Sequence, residues 1–283
     1  MIDFFIENNV SICTSIDGNE ELQNKNRPYK YGNSYKKTIE QIKKLRKKEI
    51  NVSAIETTTK YSLNKFREIV DECIKLKLNN ISIRPLTKLG KVDSNRDKIG
   101  YSAEEFLEFY KNALEDYIIQ KNKEGIFLVK GHGNISLKKI LLHQPVNYME
   151  LKSPCGGAIG QSAYYYDGNI YTCDEGRMLA EMGDDSFKLG NVYEDTYKDL
   201  MKCDCTKAMC SSSCVECLPY CSSCVYMPYC GTCPVINLAQ DDSIFASRPR
   251  EFRCQVYGGI LEILFDYIKN NEEVKQIFEK WVS

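Results

Sequence analysis

Along the first ninety or so residues the hydrophobic positions keep changing period. Val10, Ile12 and Ile16 make "VSICTSI" a short apolar run rich in β-branched residues, which predicts a buried parallel strand over 10–16. Tyr35, Ile39, Ile42 and Leu45 then recur at helical spacing within 34–48, with Lys and Arg on the opposite face. "INVSAIETT" (50–58) predicts the next strand, "SLNKFREIVDECIKLKL" an amphipathic helix with Ser62 as N-cap, and "NISIRPL" (80–86) a third strand. This β-α-β-α-β rhythm is that of a parallel α/β sheet.

A polar stretch, "TKLGKVDSNRDKIG", closes the unit. Ser102 followed by Glu105 is a capping-box signature for a helix running to about Gln120. "IFLVKG" predicts a short strand and 136–143 a small helix. The pattern then changes character. In "SAYYYDGNIYTC" the pair Asp167-Gly168 separates two strand-forming runs, which predicts a tight hairpin. A helix is expected over 194–203, and one or two amphipathic helices at the end, packing by Ile260, Leu261, Ile263, Leu264 and Phe265.

Composition narrows the class. With 283 residues, 43% hydrophobic and 27% charged, the chain can bury a sizeable core and suits two domains. A net charge of −1 gives no electrostatic case for nucleic acid or an anionic membrane, and no apolar run is long enough to span a bilayer. The opening "MIDFFIENNV" lacks the basic-then-apolar layout of a signal peptide, so the expected location is cytoplasmic. Thiols there stay reduced, which argues against a disulfide framework for the 14 cysteines. Cys13 and Cys73 stand alone in apolar surroundings and read as buried small hydrophobes. Neither of the two histidines stands in a ligand pattern, and His132 in "KGHGN" reads as a loop residue.

The other twelve cysteines fall between Cys155 and Cys254. Paired C-x-x-C motifs suit zinc, and "CVECLPYCSSC" could supply one four-cysteine site. Zinc would leave Cys155, Cys173, Cys230, Cys233 and Cys254 to be explained separately. Iron–sulfur clusters are also held by thiolates, often from separated segments. The larger spacing runs Cys155-x12-Gly168-x4-Cys173, then Cys221-x2-Cys224-x5-Cys230-x2-Cys233, then Cys254.

That spacing resembles the SPASM domain, the auxiliary-cluster domain of radical AdoMet (radical SAM) peptide- and protein-modifying enzymes. It departs from the family pattern once, with two residues instead of three between Cys230 and Cys233. "YYYDGNIYTCDEGRM", "PYCGTCPV" and "RCQVYGGILEILF" are similar to the His-Xaa-Ser-system maturases, and "SIDGNEELQNKNRP" and "NISIRPLTKLG" resemble segments of the radical AdoMet barrel. The resemblance implies an α/β fold: the C-terminal half of a partial (β/α)6 barrel over 1–95, a connecting helical region over 96–150, and over 151–283 a SPASM domain with a β-hairpin and C-terminal helices.

By position it assigns Ser15 and Arg27 to AdoMet, with a turn at Asp17-Gly18 and an Arg27 that pairs with a surface carboxylate as the alternative. It assigns Cys155, Cys173 and Cys233 to one auxiliary 4Fe-4S cluster and Cys221, Cys224, Cys230 and Cys254 to another. Many relatives carry an eighth cysteine about six residues before the first; here "YMELKSPC" has none. The first cluster then has an open iron or a replacement ligand, for which Cys214 is preferred among Cys203, Cys205, Cys210, Cys214 and Cys217. Asp174 matches an aspartate that takes a substrate proton in sulfatase-maturing relatives, against the alternative of a surface acid. The C-x3-C-x2-C motif of the radical cluster does not occur.

The resemblance therefore implies a fragment or split form of a maturase acting on a ribosomally made peptide or protein. Its partner would be a companion maturase or an N-terminal half carrying AdoMet and a third 4Fe-4S cluster, and this chain alone would not cleave AdoMet. The alternatives are a non-catalytic cluster-bearing peptide scaffold and a zinc-stabilised interaction domain.

Overall fold

A computed structural model of the chain describes residues 2–10, 12–50, 52–87, 89, 96–146, 148–245, 249 and 251–283. The polar stretch expected after the third strand falls mostly outside them, at 88 and 90–95. The chain divides into two compact units, the first made of Met1–Leu86, Lys98–Leu137 and Glu262–Ser283, the second of Thr87–Asp97 and Lys138–Leu261.

The first unit is built on a four-stranded parallel sheet in the order β1-β2-β3-β4, where β1 is Ile12–Ser15, β2 Val52–Thr57, β3 Asn80–Arg84 and β4 Val129–Lys130. Each strand sits inside a segment whose apolar pattern predicts it, and the parallel order follows from helical crossovers Ser34–Arg46 and Phe66–Lys75. Strand β1, expected to be buried, is instead an edge strand with Cys13 exposed and Ile12, Thr14 and Ser15 half-buried. Residues paired across a parallel ladder share a face. Val52, Ala54 and Glu56 line up with Ile81, Ile83 and Lys130, and all six are buried. Lys130 Nζ lies 2.9 Å from the centroid of the Tyr110 ring, so this face packs against the helix Ala103–Asn112. The opposite face carries Ser15, Ser53, Thr57, Ser82 and Arg84, polar and partly open to water.

Local chemistry explains where helices start. Ser102 and Glu105 form the expected capping box. Ser62 does not cap: the helix begins at Phe66, and Ser62 is fully buried in the preceding turn, where its hydroxyl accepts from Thr59 N–H at 3.2 Å. That turn uses up the side chain the cap would need. His132 is not in a loop either; it is buried in the first turn of the helix Gly131–Leu141. Cys13 is exposed, because it alternates onto the polar face, whereas Cys73 is buried as expected.

In the second unit Ala163–Tyr164 (β5), Asn169–Tyr171 (β6) and Lys188–Asn191 (β7) form an antiparallel sheet. Gly168 turns the β5–β6 hairpin with φ +88°, a conformation that side chains disfavour. One-turn 3-10 helices carry the cysteine-dense stretch, at Val215–Cys217, Cys221–Ser223 and Met227–Tyr229. The helices expected at the end of the chain are Phe252–Asn270 and Glu272–Val282, with Ile260, Leu261 and Leu264 buried and Ile263 and Phe265 half-buried.

Candidate functional site

Two groups of sequence-predicted residues are each held together inside one unit. In the first unit β1 ends at Ser15 and the chain turns through Asp17 and Gly18 into the helix Glu20–Asn26, whose C-cap is Arg27. Gln23 ties the turn down, donating to Ser15 O at 3.2 Å while its Oε1 accepts from Asp17 N–H at 2.7 Å. Asp17 is buried and accepts from Arg27 Nε at 2.8 Å and from Thr57 N–H at 3.1 Å. Arg27 also reaches Thr57 Oγ1 at 3.3 Å. Its partner is thus a buried carboxylate that aims the guanidinium beside the carboxyl ends of the strands. Neither Asp17 nor Gln23 is marked in the sequence as a positioning residue; the burial of an Asp inside a turn carries no periodic signal.

In the second unit Cys155, Cys173 and Cys233, which are far apart in sequence, are buried in one apolar cluster with Leu179, Phe187, Met209, Val235 and Ile236. Burial pushes the thiols of Cys155 and Cys233 up, and that of Cys173 up to about 12. Cys155 N–H donates to Ser213 Oγ at 2.9 Å, fixing that strand of chain against the helix Asp204–Ser213. Gly231 brings the Cys230–Cys233 turn against the segment before Cys155: a Cβ there would stand 2.5 Å from Glu150 O and 3.0 Å from Lys152 O. Only glycine permits that approach.

Cys214, preferred as a further ligand, follows Ser213, which accepts from Cys155 N–H, and its sulfur is 3.6 Å from that of Cys217. The additional thiol packed against the buried cluster is Cys205, whose pKa burial pushes up to about 12. Met149, six residues before Cys155, also packs there. Cys221 and Cys230 are half-buried on the 3-10 turns and at their end, Cys224 is exposed, and Cys254 is half-buried in the helix Phe252–Asn270. Asp174 opens the helix Asp174–Ala180 as an exposed acid paired with Arg177 at 2.9 Å.

A buried polar network borders the thiols. Arg253 pairs with Glu150 at 3.2 Å, and Tyr257 OH donates to the same carboxylate. Burial opposes the charge of Arg253, but Tyr257, Glu150 and the thiols of Cys233 and Cys230 outweigh it and hold the guanidinium protonated. Among the described residues no group of three or more His, Cys, Asp or Glu side chains is placed to hold a metal ion. A multi-iron cluster asks instead for thiols that surround a shared volume, with N–H donors toward its sulfurs.

No protein-family model and no curated protein matches the chain. Solved structures do. The native anSMEcpe with bound AdoMet matches with a TM-score of 0.76 at 19% identity, over 99% of this chain and 72% of that one. The same protein with AdoMet and the Kp18Cys peptide gives 0.71 at 18% over 98% and 72%, and its polyhistidine-tagged form with AdoMet gives 0.74 at 20% over 98% and 71%. Likeness at this level of identity is likeness of fold. The α/β chain, with its parallel sheet and many helices, has the fold of anSMEcpe, a radical SAM/SPASM anaerobic sulfatase maturase.

Proposed function

We propose that the chain is the auxiliary-cluster-bearing part of a radical AdoMet/SPASM maturase that modifies a ribosomally made peptide or protein. The observation that carries this reading is the burial of Cys155, Cys173 and Cys233 in one cluster, although the first and last are 78 positions apart. The AdoMet and peptide in the structures of similar fold support the substrate class. Cys155, Cys173 and Cys233 would hold the first auxiliary 4Fe-4S cluster, completed by Cys214 or by the better-placed Cys205. Cys221, Cys224, Cys230 and Cys254 would hold the second. Such clusters supply one-electron chemistry: they accept an electron from a substrate radical or bind the substrate.

The chain's own residues would do the rest. Ser15 and Arg27, on the polar side of the strand ends, would bind AdoMet, with Asp17 fixing the guanidinium. Asp174 would take a proton from the peptide after shedding Arg177. Residues 1–95, joined in one sheet by β4 from the 96–150 connection, would be the partial barrel, and 151–283 the SPASM domain. AdoMet cleavage would need a C-x3-C-x2-C segment that these 283 residues do not contain. No helix among the described residues is long and apolar enough to cross a membrane.

A second reading has its own observation. Cys214 and Cys217 are 3.6 Å apart, close to the ~3.8 Å between two thiolates on one tetrahedral zinc with bonds of about 2.3 Å. Iron and acid-labile sulfide in anaerobically purified protein decide between them. The proposal expects both, with iron in excess over zinc; stoichiometric zinc without sulfide would defeat it.

A further inference from the structure

Cys214 and Cys217 bracket a single turn of chain, "CVEC". Cys217 N–H donates to Cys214 O at 3.0 Å, and Val215–Cys217 is a one-turn 3-10 helix. A turn closed by that bond keeps its first and fourth Cα atoms within about 7 Å, the span that a disulfide bridges. The two sulfurs are 3.6 Å apart, against ~2.05 Å in a disulfide, a gap of the size that side-chain rotation covers. Cys217 is exposed and Cys214 half-buried, so a small molecule reaches the pair from water. The turn is also fixed from outside. Val215 N–H donates to Ser153 Oγ at 3.0 Å, the Ser153 hydroxyl donates to Glu216 Oε2, and Ser213 Oγ accepts from Cys155 N–H at 2.9 Å. Glu216 Oε2 in turn lies 3.4 Å from the Cys214 sulfur. The thiols are thus held side by side before they react, which lowers the entropy cost of joining them.

We infer that Cys214 and Cys217 are a thiol–disulfide exchange site whose substrate is a small-molecule disulfide. The exposed Cys217 sulfur attacks one sulfur of that disulfide; its S–S bond breaks, and the first small thiol leaves with the Cys217 proton. The Cys214 sulfur then attacks Cys217 in the mixed disulfide, and the second small thiol leaves with the Cys214 proton. Two protein thiols are oxidised, one external disulfide is reduced to two thiols, and no other electron acceptor is needed. The bond formed is a reversible one. A disulfide stabilises a fold more the longer the loop it closes, and four residues make a very short loop. Exposed bonds of that kind are the labile ones, so an excess of small thiol runs the exchange backwards. Both sulfurs must be free of metal, which leaves the fourth position of the first cluster to Cys205. Nothing is asked of Cys155, Cys173 or Cys233, so the exchange stands or falls separately from the cluster reading.

The test treats the full chain, purified anaerobically, with glutathione disulfide at stepped ratios to glutathione. Thiols are then blocked with N-ethylmaleimide in denaturant, the chain is cut with a glutamate-specific protease, and bonded fragments are assigned by mass spectrometry. Cleavage after Glu216 separates Cys214 from Cys217, so a bond between them shows as two joined fragments. That bond is expected to form ahead of any other pair, at unchanged iron content, and to reverse with dithiothreitol. Cys214→Ser is expected to arrest the exchange as a glutathione adduct on Cys217. Exposed Cys13 gauges a lone thiol: an adduct there while Cys214 and Cys217 stay reduced would overturn the inference. So would a different pair closing first, or release of iron as the bond forms, which would return Cys214 to a cluster. Resistance of both thiols to maleimide in the native reduced chain would overturn it too, by marking them as metal-bound. Formation of the bond in protein that lacks sulfide would defeat the cluster reading and uphold the exchange site.

Discussion

Asp17 and Arg27 form a forked ion pair in which both carboxylate oxygens are used: Nε donates at 2.8 Å to Oδ2 and Nη2 at 3.2 Å to Oδ1. The two ends differ in setting. The carboxylate side chain is 2% exposed and the guanidinium 37%, so the arginine is steered from inside the protein. Forked pairs of this kind fix direction as well as distance. On the proposed reading of Arg27 as a ligand contact, that preordering lowers the cost of binding, because the side chain does not have to be ordered on binding.

Removing Arg27 leaves a buried carboxylate with the Thr57 N–H at 3.1 Å as a remaining donor. Hydrogen bonds to charged groups contribute about 1.5–3 kcal/mol, and the exposed side of this pair is partly screened. Arg27→Ala is therefore expected to cost about 1–2 kcal/mol in urea unfolding, and Asp17→Asn with Arg27→Ala less than the sum of the two singles. Strict additivity in that cycle would show that the pair is not coupled.

The cysteines divide into testable sets. Cys155→Ala, Cys173→Ala and Cys233→Ala are each expected to remove the same fraction of iron and sulfide, and Cys221→Ala or Cys254→Ala the complementary fraction. No neutral side chain replaces a thiolate at a cluster. Cys205 packs against the buried set, whereas the sulfur of Cys214 lies 3.6 Å from that of Cys217. Cys205→Ala is thus expected to lower iron content and Cys214→Ala to leave it near the parent level; the reverse ranking would return the fourth position to Cys214.

Glu56 and Lys130 share the buried, helix-facing side of the sheet and shift in opposite directions. Burial, with Asp17 nearby, pushes the Glu56 carboxyl up to about 8, and burial lowers the Lys130 ammonium well below its ordinary value. A carboxyl with a raised folded pKa adds stability below its unfolded pKa and loses it as pH rises through the folded one. A lysine with a lowered pKa does the opposite, so where both are neutral the two slopes cancel. Lys130→Met should expose the carboxyl's slope alone: unfolding free energy falling by about 1.4 kcal/mol per pH unit between roughly pH 5 and 8. Parallel pH profiles for parent and variant would rule out the buried neutral pair.

Strand and helix order was legible because β1, β2 and β3 each bring an apolar or alternating run between helical periods. Val52, Ala54 and Glu56 already alternate in the sequence, and only the identity of Glu56 as a buried acid breaks the pattern. The caps were legible where one side chain has one local duty, as at Ser102, and illegible at Ser62, whose hydroxyl serves a turn set by Thr59. At the site, the family resemblance grouped Cys155, Cys173 and Cys233; spacing alone could not, since twelve cysteines fall between Cys155 and Cys254. Arg253 and Glu150 were not singled out: 103 positions separate them, and nothing local marks an Arg that will lose its water. Long-range burial decides such residues, and a single sequence carries little sign of it.

Strand β1 pairs with β2 and, among the described residues, with nothing on its other side. Near that edge Phe4, Ile6 and Val10 are exposed, and Phe5, Ile6, Val10 and Ile12 line a shallow pocket beside Lys48 and Ser53. An open parallel edge with apolar neighbours invites pairing with another chain, and natural edges are blunted with charge, proline or a bulge. No charge or proline occurs from Val10 to Ile16; Asp17 comes after the strand and is committed to Arg27. The chain is therefore expected to self-associate. Ile12 is only half-buried, so Ile12→Lys can place its ammonium in water along the edge and keep its stem on the sheet. That variant is expected to raise the soluble fraction and move the chain toward monomer in sedimentation velocity, at a stability cost of about 1 kcal/mol or less. A monomeric parent whose amides at 12–15 exchange slowly would show that the edge is already covered, and the variant would then gain nothing.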